Sequence, residues 1–80
     1  MVDTSKLKIG QKVHYQPEYM IESGEYENGI VKEIPEHSTT YVRVVYHCGG
    51  EWHRFMDFTS ALTNSSDLYL GWKHDIIEDR

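Results

Sequence analysis

The chain has 80 residues, of which 39% are hydrophobic and 12% aromatic, with 13 acids against 8 bases and a net charge of −5. That composition suits one small globular domain and argues against global disorder, although a domain of this size removes only roughly 60–65% of its unfolded surface from water. The acidic balance opposes generic binding to phosphate backbones, which depends on clustered Lys and Arg, and the single cysteine, Cys48, excludes an intramolecular disulfide.

The opening residues MVDTSKLKIG contain no apolar run of the kind a secretory leader needs. No stretch approaches the roughly 20 apolar residues of a membrane span. A cytoplasmic protein that does not enter membranes is expected. Residues 1–6 read as a polar lead-in. Gln11 to Tyr15 alternates polar and apolar side chains, with Val13 and Tyr15 on one face, and predicts a short strand over about 11–16. Pro17 ends it, because proline cannot donate to a ladder. Glu18 to Asn28 reads as a polar loop, long for a hairpin connection and therefore functional or mobile. Asn28-Gly29 signals a turn before a second strand over about 29–34, with Ile30 and Ile34 on one face and Val31 opposite. Pro35 to Thr40 reads as a turn.

Tyr41 to Phe58 carries the strongest β signal. Tyr41-Val42-Arg43-Val44-Val45-Tyr46 is β-branched and aromatic, which fits a pleated, half-buried surface. Gly49-Gly50 tolerates the positive φ of a tight turn. Glu51 to Phe58 then reads as a return strand, and a two-residue turn pairs His47 with Trp52, Val45 with Arg54 and Arg43 with Met56. One face holds Val42, Val44, Tyr46, Cys48, His53 and Phe55 and looks like core. The other holds Tyr41, Arg43, Val45, His47, Trp52, Arg54, Met56 and Phe58; a bulge at the glycines would exchange faces on one strand. Residues 59–67 are small and polar, with Ala61 and Leu62 as anchors and room for one helical turn. Asp67 to Trp72 supplies a last strand, with Trp72 as core or plug, and 74–80 is a polar tail containing Ile76 and Ile77.

The count is five short strands, at about 11–16, 29–34, 41–47, 52–57 and 68–72, in a single domain spanning 1–80 with its core at about 7–73. A sheet of this size buries one face only by curling on itself or packing in two layers. The expected fold is mainly β, a partly open small barrel with one short helical turn.

The segments LKIGQKVHY, NGIVKEI and VRVVY, followed by an aromatic return strand, resemble the strand order of SH3-like small barrels, including the Tudor and KOW types. The wider pattern of ENGIVKEI, VVYHC, EW and DLYLGW is similar to short proteins carried by bacteria, phages and prophages. The resemblance implies a binding module and not an enzyme, and an accessory or host-modulating role in a phage or prophage setting. The charge departs from nucleic-acid-binding KOW-type barrels. No grouping of acids and aromatics at a suitable spacing supports a methyl-lysine cage, and a proline-recognition groove is not supported either, although Tyr15, Tyr19, Tyr26 and Trp52 could line one.

Three sets of residues carry candidate chemistry. Tyr41, Arg43, Trp52, Arg54, Met56 and Phe58 combine the residue types enriched at binding hot spots. Six acids fall between 18 and 36 against Lys32 alone; Glu22, Glu25 and Glu27 form the centre of that acidic sector, which reads first as a solvated face that keeps the protein soluble and second as an attractor for a basic protein partner. His47, Cys48 and His53 are natural zinc ligands, yet they lack a C-x-x-C or H-x3-H pair. Cys48 beside His53 lacks an orienting group or oxyanion hole, so no catalysis is expected. The expected function is protein–protein interaction with an unidentified partner, as a monomer or homodimer, with no cofactor. A nucleic-acid-associated barrel is the alternative, and a metal-binding domain a weaker one.

Overall fold

The computed structural model describes residues 4–36 and 40–73. Thr4–Lys6 forms a 3-10 turn, and the tail expected at 74–80 lies outside the described residues. Five strands follow: β1 (Lys12–Tyr15), β2 (Glu27–Glu33), β3 (Tyr41–Val45), β4 (Ala61–Asn64) and β5 (Leu68–Leu70). All pairings are antiparallel, in the order β4-β3-β2-β1-β5. The protein is therefore mainly β, as its composition and patterning indicate.

The link between β4 and β5 forces the sheet to curl. The two strands occupy opposite edges, yet only Ser65–Asp67, a single 3-10 turn, separates them in sequence. Flat, the edges of five strands would stand roughly 19 Å apart at about 4.8 Å per spacing. A 3-10 turn rises only about 2 Å per residue. The edges therefore approach without pairing, which leaves a seam in a partly open barrel.

The concave face holds the core: Leu7, Val13, Val31, Val42, Val44 and Leu68, with Tyr15, Ile34 and Tyr46 packed against it. Val42 and Val44 lie inside as the alternation of β3 requires, and Val31 pairs with Val44. A register irregularity between Val31 and Glu33 bends β2, and such a bulge displaces strict alternation. Val31 and Ile34 consequently both reach the core, where simple alternation put Ile30 with Ile34. Ile30 instead pairs with Val45 on the convex face, and both are buried there.

The convex face is covered by the segment read from sequence as a return strand. Trp52–Asp57 is a 3-10 helix, kinked at Arg54, that packs against β2. Gly49 and Gly50 do take positive φ, 60° and 84°, but the turn they make leads into this helix. Its first bonds run from the Glu51 N–H to the Cys48 carbonyl and from the Arg54 N–H to the Glu51 carbonyl. Trp52, Phe55 and Phe58 recur every third residue, the repeat of a 3-10 helix, and all three are half-buried. Glu51, Arg54 and Asp57 share that period and form ion pairs of 3.6 and 3.3 Å on the outside. On the side away from β2, the strand paired with β3 is β4, with Arg43 opposite Leu62 and Val44 opposite Ala61.

Gly29 lies inside β2 and not in a turn before it. An added Cβ there would stand 2.6 Å from Val44 Cγ1, so the strands approach as closely as they do because the side chain is missing. The loop after β1 contains a short helix, α1 (Glu18–Ser23). Gly24, at φ 78°, ends it in a left-handed cap, with the Glu25 N–H bonded to the Met20 carbonyl and the Gly24 N–H to that of Ile21.

Candidate functional site

The seam between β4 and β5 gathers side chains that are far apart in sequence. Tyr15 ends β1 and Tyr46 follows β3, both on the concave side, and their rings meet edge to face at 6.0 Å. The Tyr46 hydroxyl reaches across to Thr63 Oγ1 on β4, 2.8 Å away, and the Thr63 hydroxyl also approaches the Ala61 carbonyl at 3.2 Å. Tyr41 opens β3 opposite Asn64 and is 43% exposed. Asp67 closes the link between β4 and β5, where its carbonyl accepts the Gln16 N–H at 2.9 Å. These four residues, with Ala61, Leu62, Thr63 and Asn64, line a cavity of about 360 Å³.

The electrostatics of this cavity are one-sided. Among the described residues, Asp67 is the charged residue of its lining and enters no ion pair. Burial pushes the Tyr46 hydroxyl up to about 12; the bond to Thr63 opposes that shift, while Glu27, Tyr15 and Asp67 add to it. Tyr15 is raised by burial first, then by Tyr19, Asp67 and Glu27. Both tyrosines therefore stay neutral at physiological pH, in a field that disfavours added negative charge.

Helix α1 does not line the cavity but meets it through Tyr19, which stands beside Tyr15. None of its side chains is buried. Tyr19 and Ile21 are 72% and 51% exposed, interleaved with Glu18 and Glu22. Tyr19 faces the Tyr15 hydroxyl, whose ionisation it opposes. The base of the excursion is anchored by Gln16, a buried residue whose Nε2 donates to the Glu25 carbonyl at 2.9 Å and whose Oε1 accepts from Lys73 Nζ at 3.1 Å.

The residues singled out from sequence as a contact surface are dispersed. Tyr41 lies at the seam. Arg43 is held by Glu33 at 3.3 Å and, with Met56, Ile9 and Lys32, borders a separate depression of about 620 Å³. Arg54 is paired with Glu51 and Asp57 on the outside of the 3-10 helix. Trp52 packs on Trp72 at 4.9 Å, and Phe58 is half-buried with its carbonyl accepting from Lys32 Nζ. Trp72 itself donates Nε1 to the Gly29 carbonyl at 2.8 Å and lies under Lys12 Nζ at 4.5 Å, so it plugs the convex face. Of the acidic sector, Glu22 is exposed on α1, Glu25 accepts from Ser23 Oγ at 2.8 Å, and Glu27 faces His47 at 3.4 Å.

His47, Cys48 and His53 do not converge. Cys48 is buried, whereas His47 and His53 are exposed, and no group of three or more His, Cys, Asp or Glu residues suited to a metal occurs among the described residues. No helix among the described residues is long and apolar enough to cross a membrane.

Sequence reasoning placed Tyr46 in the core and Asp67 at the start of a strand, and missed their meeting with Tyr15 and Tyr41. The only signal for the cavity was topological, because it exists where the two edges of the sheet fail to join. Comparisons with protein-family models, with curated proteins and with solved structures find no match, so the functional reading rests on this geometry.

Proposed function

We propose that this chain is a non-catalytic, SH3-like binding module that takes a basic segment of a partner protein along the tyrosine-lined seam and the acidic face of α1. The observation that carries the reading is the exposed face of α1: Tyr19 and Ile21 stand in solvent between Glu18 and Glu22, with Tyr19 beside Tyr15 of a cavity that Asp67 also lines. Exposed apolar side chains supply contact area, while the acids steer and orient a basic partner. A meander of four strands with the fifth laid beside the first supports the SH3-like description. The nucleic-acid alternative has less support, since Arg43 and Arg54, the two arginines it requires, each lie against carboxylates.

Selection from a random peptide library tests the proposal. Enriched peptides are expected to be rich in Lys and Arg and to bind more weakly as salt rises, because exposed charges are screened within about 10 Å at 0.1 M ionic strength. Neutralising α1 and its flank through Glu18→Gln, Glu22→Gln and Glu25→Gln should weaken them. Enrichment of uncharged or acidic peptides, or affinity unchanged in the neutralised variant, refutes the reading.

A further inference from the structure

The seam cavity has a chemistry more specific than that of a contact surface. Tyr15, Tyr41 and Tyr46 line it together with Asp67. Aromatic faces carry the negative lobe of a quadrupole and attract cations positioned over them. A carboxylate beside the rings adds a full negative charge, and Glu27 acts on both Tyr15 and Tyr46 in the same sense. The cavity measures about 360 Å³, near the lower end of the roughly 300–1,000 Å³ of small-molecule clefts and enough for the end of one long side chain. The other depressions are less selective: the one bordered by Met56 and Ile9 mixes Lys32, Glu33 and Arg43, so its charges offset one another.

We infer that the cavity formed by Tyr15, Tyr41, Tyr46 and Asp67 is a receptor for a single cationic side-chain head, the guanidinium of arginine or the ammonium of lysine, presented by the basic partner. The inference rests on the interaction reading above and names the group recognised. The tyrosine rings supply cation–π attraction, and the Asp67 carboxylate supplies the charge partner. Tyr46 is held in position by its bond to Thr63, so the aromatic wall is formed before the ligand arrives.

The test is an NMR titration of the whole chain with N-acetyl-arginine amide, N-acetyl-lysine amide and N-acetyl-citrulline amide, the last a neutral isostere of arginine. The expected result is a saturable shift of the ring resonances of Tyr15, Tyr41 and Tyr46 with at least one of the cations, about 5-fold or more weaker with citrulline. Asp67→Asn and Tyr41→Ala should each weaken cation binding by roughly 3- to 10-fold, the scale of one cation–π or charge contact. Both positions lie outside the apolar core, and an unchanged thermal midpoint confirms that each variant is folded. Equal binding of arginine and citrulline, absence of saturation, or shifts centred on other residues overturns the assignment. A selected basic peptide whose affinity ignores Asp67→Asn overturns the cavity while leaving the interaction reading in place. Saturation by the amino-acid probes with no peptide enriched from the library supports the cavity and removes the partner.

Discussion

Replacing Gly29 by alanine would put a methyl group into space that β3 already holds. An ideal Cβ at Gly29 stands 2.6 Å from Val44 Cγ1, 2.9 Å from Tyr46 Cδ1 and 2.9 Å from the Val45 carbonyl oxygen. Favourable carbon contacts begin at about 3.5 Å, so all three neighbours must retreat. Val44 is fully buried and cannot swing away without disturbing the core, and the Val45 oxygen belongs to the backbone of the partner strand. The relief available is separation of β2 from β3, the pairing at the centre of the sheet. Overpacking of this kind costs about 1–3 kcal/mol. Displacing the Gly29 carbonyl from Trp72 Nε1 adds about 1 kcal/mol more. Gly29→Ala should therefore lose about 2–4 kcal/mol from a domain whose total, at roughly 0.05–0.15 kcal/mol per residue, is about 4–12 kcal/mol. Urea unfolding followed by tryptophan fluorescence and circular dichroism measures this, and the thermal midpoint should fall by about 8–30 °C. Gly24→Ala is the comparison: nothing lies within 4 Å of its Cβ, but φ is 78°, so the expected loss is about 1–2 kcal/mol of backbone strain. A Gly29→Ala protein within about 0.5 kcal/mol of the parent, the range of ordinary surface substitutions, would refute the close packing of β2 on β3.

Three other outcomes follow from the same geometry. Tyr46 has a folded pKa of about 12 against an ordinary value of 10.0, so its neutral form stabilises the fold fully below pH 10. That contribution, at most about 2–3 kcal/mol at roughly 1.4 kcal/mol per unit and less for a hydroxyl that is only partly buried, fades as pH rises from 10 through 12, and the loss should be smaller in Tyr46→Phe, where Tyr15, whose hydroxyl is also raised, still contributes, when unfolding is measured at each pH. Trp72→Phe removes the bond to Gly29 and part of the packing on Trp52, and should cost about 1–3 kcal/mol in denaturant unfolding; no change would deny it the role of plug. Met56→Ser should alter stability by less than about 0.5 kcal/mol and leave basic-peptide affinity unchanged, because Met56 is 55% exposed and does not line the seam.

The strands that the sequence revealed are those whose pattern matches their burial. Val13 and Tyr15 in β1 and Val42 and Val44 in β3 face the core, and each stood in an alternating or β-branched run; Leu68 of β5 stood in a short apolar run. Strand β4 was hidden because Ala61-Leu62-Thr63-Asn64 lies at an edge and buries only Thr63, which leaves no apolar alternation to read. The 3-10 segment was misread for the opposite reason. Trp52, Phe55 and Phe58 supply strand-like composition, and their spacing of three was a helical signal that composition outweighed. The candidate site was legible in parts: Tyr41 and the acidic sector stood out, whereas Tyr46 and Asp67 acquire their meaning only when the link Ser65–Asp67 draws the edges together.

Chemical-shift mapping of two matched twelve-residue peptides, one rich in arginine and one rich in glutamate, addresses the central claim most directly. The account predicts that the basic peptide binds and shifts Tyr15, Tyr19, Tyr41, Tyr46 and Asp67 together, while the acidic peptide does not bind. Shifts centred on Ile9, Arg54 and Met56, or equal binding of the two peptides, would contradict it and place any interaction elsewhere on the protein.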